Sequence, residues 1–148
     1  MSSDLQWLLL RNYNSFVVKR VPEGPVFSRE PGNLRNLHSY KYSGLANEKT
    51  IDISETSEGT IQITTRKTKV APTAVRPAFA KSTIRPRSGP RRAQGIVAQY
   101  ARRGYRADLR PAAVARVSAI LRTKKPRRPT PPKKVRGRKA KELAAASE

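Results

Sequence analysis

The sequence predicts an α+β fold: a small antiparallel sheet with an N-terminal helix, followed by an extended arm, a basic helical hairpin and a basic tail that is disordered alone. Three observations carry that expectation. Residues 50–54 and 60–64 alternate β-branched apolar with polar residues and flank a polar turn containing Ser57, Glu58 and Gly59. Two later segments carry apolar residues at helical spacing, with Gly104 between them. Charge is divided unevenly: residues 1–65 hold 7 Lys/Arg and 7 Asp/Glu, residues 66–148 hold 25 and 3, so the entire net charge of +22 lies in the second part. The expected organisation is an α+β module at 1–68, an extended basic Pro-rich arm at 69–90, a helical hairpin at 91–123 and a basic Pro-rich tail at 124–148.

The module begins with Ser2 or Ser3 as cap of a short helix, with Leu5, Leu8 and Leu9 on one side and Trp7 nearby. Asn12 and Asn14 end it. Residues 15–20, apolar in the middle, read as a strand, and Val26 to Arg29 as a second short one after a Pro-Gly turn. Residues 38–42 alternate, which predicts a strand with Tyr40 and Tyr42 on one face, stopped by Ser43 and Gly44. In the hairpin, Ile51, Ile53, Ile61 and Ile63 share a face. They are expected to pack under the N-terminal helix with Phe16 and Val18.

From Arg66 the chain changes character. Pro72, Pro77, Pro86 and Pro90 stand among Arg76, Lys81, Arg85 and Arg87, a density that denies regular helix and favours extended backbone. This stretch reads either as a disordered linker or as an arm laid along a partner, with Phe79 and Ile84 as apolar anchors. Residues 91–103 then form a helix with Pro90 at its first position and Ala93, Ile96, Val97 and Tyr100 as its stripe. Gly104 suits a left-handed C-cap. The second helix takes Asp108 as N-cap, Pro111 in its first turn and a stripe of Leu109, Ala113, Val117, Ile120 and Leu121. Arg110 falls within the stripe's arc, so it must reach outward or meet an anion. After Pro126 the basic, proline-rich run cannot bury a core, and the last residues form at most a frayed helical end.

The composition excludes several chemistries. No cysteine is present, which removes disulfides, thiol catalysis and Cys-based metal sites. One histidine, His38, leaves too few ligands for a zinc or iron site, and it reads as a packed or surface residue rather than a catalytic one. Glycine-rich phosphate loops and nucleophile elbows are absent, and the carboxylates are scattered, so neither an enzyme nor a cofactor is expected. The longest apolar run, Trp7 to Leu10, is far below the roughly 20 residues of a membrane span. Asp4 argues against a secretory signal, and the expectation is an intracellular chain.

What remains is polyanion binding, since a compact chain of this charge repels itself without an anionic partner. The candidate RNA-binding residues are Arg66 and Lys67 at the end of the sheet, then Arg91, Arg92, Arg102, Arg103, Tyr105, Arg106, Arg110 and Arg122 through the hairpin. Lys124, Lys125, Arg127, Arg128, Lys133, Lys134 and Arg136 continue the set into the tail. The guanidinium fork grips phosphate oxygens or stacks on bases, which lysine does less well. Tyr105, in the turn between arginines, is a candidate for stacking on an unpaired base, whereas Tyr100 completes an apolar stripe. A helix-turn-helix DNA binder is the competing reading, but Leu109 to Ala113 is poor in base-reading groups for a recognition helix.

At this point the sequence resembles a known family. Asp4 to Trp7, Arg11 to Phe16 with Lys19 and Arg20, Ser28 to Leu34, Tyr42 to Thr50, Tyr105 to Arg110, Ala112 with Ala113, and Ser118 to Arg122 resemble, in order, the eukaryote-specific large-subunit ribosomal protein L28e family over about residues 4–126. The resemblance implies a structural constituent of the cytosolic large ribosomal subunit, folded against ribosomal RNA beside neighbouring ribosomal proteins. It implies no small-molecule substrate, no membrane, and assembly in the nucleus and nucleolus, for which the run from Lys133 to Lys139 suits an import signal. The N-terminal module is also similar to that of a nucleolar ribosome-assembly factor family (the Mak type), which is the alternative.

Overall fold

The computed structural model describes residues 2–71, 74–102, 104–126, 129–131, 134 and 136–146. In chain order these form helix α1 (Ser3–Leu10), strands β1 (Val17–Val18) and β2 (Phe27–Ser28), a 3-10 turn (Tyr40–Tyr42), and strands β3 (Ile51–Glu55), β4 (Ile61–Arg66) and β5 (Phe79–Ile84). Helix α2 (Pro90–Arg102), a 3-10 turn (Ala107–Leu109), α3 (Arg110–Lys124) and α4 (Arg138–Ala145) follow. The α+β class is observed, with two antiparallel sheets, one of two strands and one of three in the order β3-β4-β5.

The hairpin forms where the alternation places it, with Ile53 opposite Ile63 and Ile51 opposite Thr65. Ile51, Ile53, Ile61 and Ile63 are all buried. Their cover, however, is the helical hairpin and not α1. The core joins these isoleucines and Ile84 to Ala93, Val97 and Ala101 of α2 and to Leu109, Ala112, Ala113 and Val117. Four alanines in that list let both helices lie close to the sheet, and each large apolar side chain so buried is worth about 1.5–3 kcal/mol.

Helix α1 sits elsewhere, and Leu5, Leu8 and Leu9 remain exposed. Ser2 caps it, its hydroxyl accepting from the Asp4 N–H at 3.3 Å. The helix is held through its polar and aromatic side: the Trp7 ring lies 5.0 Å from that of His38 and 5.9 Å from that of Tyr40. Ser3 and Tyr40 share a hydroxyl–hydroxyl bond of 2.9 Å, and His38 Nε2 donates to the Arg11 carbonyl at 2.7 Å.

Residues 38–42 are therefore not a strand. Tyr40–Tyr42 curl into a 3-10 turn because a side chain claims the carbonyls a ladder needs: Asn47 Nδ2 donates to Tyr40 O at 2.7 Å and to Ser43 O at 2.8 Å. Beside it Glu30, buried, accepts from Asn33 Nδ2 and Ser43 Oγ. Gly44 makes this packing possible, since a Cβ there would stand 1.9 Å from the Pro31 carbonyl oxygen.

The stretch expected as an extended arm contributes the third strand of the sheet. β5 pairs antiparallel with β4, Ile61 opposite Ile84 and Arg66 opposite Phe79. Phe79 to Ile84 lie in the proline-free window between Pro77 and Pro86, so the ladder loses no donor there. Ile84 anchors to this chain's own core. Gly104 adopts φ +72 after α2, as its C-cap role requires. The basic tail is not wholly irregular either: α4 occupies Arg138–Ala145, with an exposed ion pair of 3.3 Å from Arg138 to Glu142.

Candidate nucleic-acid interface

Each hairpin helix turns its stripe to the sheet, which leaves Arg91 and Arg92 of α2 and Arg110 and Arg122 of α3 on the outside. α2 and α3 run antiparallel, tied by Gln94 Nε2 donating to Ser118 Oγ at 2.8 Å. That pairing sets the start of α2 beside the end of α3. Arg91, Arg92, Arg122 and Lys125 are exposed there, and none has an ion-pair partner among the described residues. A crevice of about 160 Å³ lined by Arg85, Ser88, Ala93, Leu121 and Lys124 joins the two helix ends to the loop after β5. Arg85 and Arg87, exposed in that loop, thus belong to the same basic end. Neither is among the candidates drawn from sequence, because both stand in a proline-rich segment. The signal for them is their position just before a helix that opens with two arginines.

Arg110 projects from the other end of α3 and is exposed. Arg102 ends α2, but its side chain lies outside the described residues, as do Arg103, Arg127, Arg128 and Lys133 altogether. Lys134 and Arg136 are exposed in the tail. Arg66 closes β4 half-buried, and Lys67 is exposed while its backbone N–H donates to Ala78 O at 2.7 Å.

Three members of the set have internal employment. Arg106 donates from Nε to Asp108 Oδ1 at 2.8 Å and from Nη2 to Asp108 Oδ2 at 2.7 Å. The same guanidinium reaches the carbonyls of Lys49, at 3.1 Å, and Lys41, at 2.8 Å. Asp108 accordingly is not the N-cap of α3. Leu109 takes that position without a side-chain bond, after a 3-10 turn, with Pro111 in the first turn as expected. Hydrogen bonds from Arg106 hold the Asp108 carboxyl below its ordinary range, against a smaller opposing effect of burial.

Tyr105 also faces inward. Its hydroxyl donates to Arg66 O at 2.5 Å, lies 3.2 Å from Thr50 O, and accepts from the Thr50 N–H at 3.1 Å. Burial pushes this phenol up from its usual pKa, and the backbone bonds only partly oppose that. Lys124 bends back onto the hairpin turn, its Nζ 3.2 Å from Glu55 Oε1 and donating to the Gly59 carbonyl. Arg116, on the flank of α3, donates to Ile53 O at 3.4 Å. Among the described residues no cluster of His, Asp and Glu suits a metal, and no helix is long and apolar enough to cross a membrane.

The profile of the Ribosomal L28e protein family matches residues 5–123 of the chain. The chain belongs to the ribosomal L28e family. Its match runs from the third residue of α1 through both sheets and the helical hairpin short of its last residue. The large ribosomal subunit protein eL28 of Schizosaccharomyces pombe is 36% identical over 132 residues, covering 86% of this chain and 96% of the relative. The eL28 of Dictyostelium discoideum is 34% identical over 122 residues, covering 81% and 86%. That of Caenorhabditis elegans is 39% identical over 72 residues, covering 49% and 56%. The L28e family is one of ribosomal proteins, not of enzymes.

Proposed function

We propose that the chain is a structural constituent of the large ribosomal subunit, bound to ribosomal RNA through the exposed cations of α2, α3 and the tail, and set beside neighbouring ribosomal proteins. The observation that carries this reading is that a family of ribosomal proteins and a one-sided charge coincide in one fold: the core takes the inner stripe of both helices and leaves Arg91, Arg92, Arg110 and Arg122 outward. Arg91 and Arg92 stand in the first turn of α2, which has no acidic residue. Cations there oppose the helix dipole, and a phosphate beside them relieves both. Assembly in the nucleolus and residence in the cytoplasm follow from the same reading. Groove recognition of DNA by α3 fits poorly, because Ala112 and Ala113 of its first turns are buried against the sheet.

The test is sedimentation of a native extract through a sucrose gradient at raised salt, with the tagged chain followed. Stoichiometric presence in large subunits, monosomes and polysomes is the expected outcome. Confinement to nuclear precursor particles overturns it in favour of an assembly factor.

A further inference from the structure

Opposite the isoleucines, the three-stranded sheet has a second face that no helix among the described residues covers. Its register sets Arg66 beside Phe79, then Asp52, Thr64 and Lys81 in one row, then Ser54, Gln62 and Thr83 in the next. Residues 31–32 with 44–45 form one wall and residues 74–79 another, enclosing a groove of about 540 Å³. Phe79 lines it and is 40% exposed. Among the described residues, the side chains of Arg66 and Lys81 have neither an ion pair nor a hydrogen bond within the chain. No acidic residue occurs between Glu58 and Asp108, and the one charged residue of the far wall, Arg76, is a cation.

We propose that this groove receives one unpaired nucleotide of RNA, its base against Phe79, its edge toward Gln62 and Thr64, and its phosphate toward Arg66 and Lys81. The proposal rests on the RNA-binding reading above and assigns it a second, base-contacting site away from the helical hairpin. The chemistry selects this occupant. An aromatic ring on an open sheet offers a stacking surface to any base, and side-chain amide, hydroxyl and carboxylate groups supply both donors and acceptors for its edge. A base paired within an A-form duplex presents no free face to such a ring. An apolar peptide laid here strips water from Asp52, Arg66 and Lys81 without returning partners, a cost that argues against it. Strand addition uses a sheet edge, whereas the groove lies over the face.

Two experiments test it. Intact large subunits containing the chain are irradiated with ultraviolet light, digested with nuclease and protease, and the nucleotide-bearing peptides mapped; a nucleotide on the peptide containing Phe79 is expected. In parallel the free full-length chain is titrated with a short oligoadenylate and with an RNA duplex. Phe79→Ala weakens the oligoadenylate about tenfold and leaves the duplex unchanged, Phe79→Tyr restores binding, and Gln62→Ala reproduces part of the loss. Equal loss on both probes, photoproducts confined to the helices, or a lysine cross-link from Lys81 to a neighbouring protein each overturn the groove assignment while leaving RNA binding standing. Absence of binding to either probe overturns both readings.

Discussion

Arg106 and Asp108 form a two-bonded ion pair whose arginine also grips the carbonyls of Lys41 and Lys49, so one guanidinium ties the turn between the hairpin helices to the N-terminal half of the chain. An exposed salt bridge by itself contributes little, but here most of the donors are spent and the side chain is largely sheltered, at 15% exposure. Arg106→Ala is expected to lower stability by about 1–3 kcal/mol, measured by denaturant unfolding of the free chain. Arg106→Lys does not rescue it, because an ammonium cannot match the planar fork.

The same pair sets a pH dependence. The folded pKa of Asp108 lies below its unfolded value, so its contribution is full above the usual aspartate value of about 3.9 and is lost as pH falls through the lower folded value. Asp52 runs the other way. Burial first of all raises its folded pKa, against the Ile53 backbone bond and Arg116, so its charge opposes folding at neutral pH and is relieved as pH falls. Asp52→Asn is expected to raise the melting temperature at pH 7 and to lose that advantage in acid, whereas Asp108→Asn lowers it at pH 7 and becomes neutral in acid.

Tyr105→Phe removes the hydroxyl that closes β3 and β4 together at Thr50 and Arg66. It leaves the buried Thr50 N–H without that acceptor, an expected cost of about 1–3 kcal/mol in thermal or denaturant unfolding. RNA affinity measured where the variant is folded stays at the parent value, since the hydroxyl is already engaged within the protein.

Two glycines separate packing from propensity. Gly44→Ala drives a Cβ into the Pro31 carbonyl, a backbone atom that cannot step aside, and is expected to cost about 3 kcal/mol. At Gly95, in the middle of α2, an added Cβ meets nothing within 4 Å. Gly95→Ala should therefore stabilise by about 0.5–1 kcal/mol. Paired denaturant titrations check both signs at once.

What is legible in the sequence follows the strength of the local pattern. The isoleucine hairpin and both hairpin helices show in their periodicity, because each buries one face against a single layer. The cover of the isoleucines is not legible: α1 and the hairpin both offer apolar residues, and only packing chooses the alanine-rich helices over Leu5, Leu8 and Leu9. β5 is hidden because four prolines across residues 70–90 dominate the average, although none falls within its six residues. The charge of the interface is plain, yet which cations are free is not. Arg106, Lys124 and Arg116 carry the same charge as Arg91 and Arg122; their partners are backbone carbonyls and carboxylates, most of them far along the chain, which no spacing reveals.

That distinction gives the salt dependence a sorted outcome. Arg91, Arg92, Arg110, Arg122 and Lys125 are exposed without ion-pair partners among the described residues, so each one that meets a phosphate releases counterions on binding. Replacing any of these five by Ala should reduce the slope of log affinity against log salt by about 0.7–0.9 for RNA. Arg106 and Lys124 are already engaged inside the protein, and their replacement should leave the slope unchanged while lowering stability. Filter binding of the full chain to large-subunit RNA over a salt series reads both groups. Equal slopes across all seven variants mean that the hairpin does not carry the phosphate contacts, and a slope change at Arg106 or Lys124 alone means that binding reopens the internal pairs.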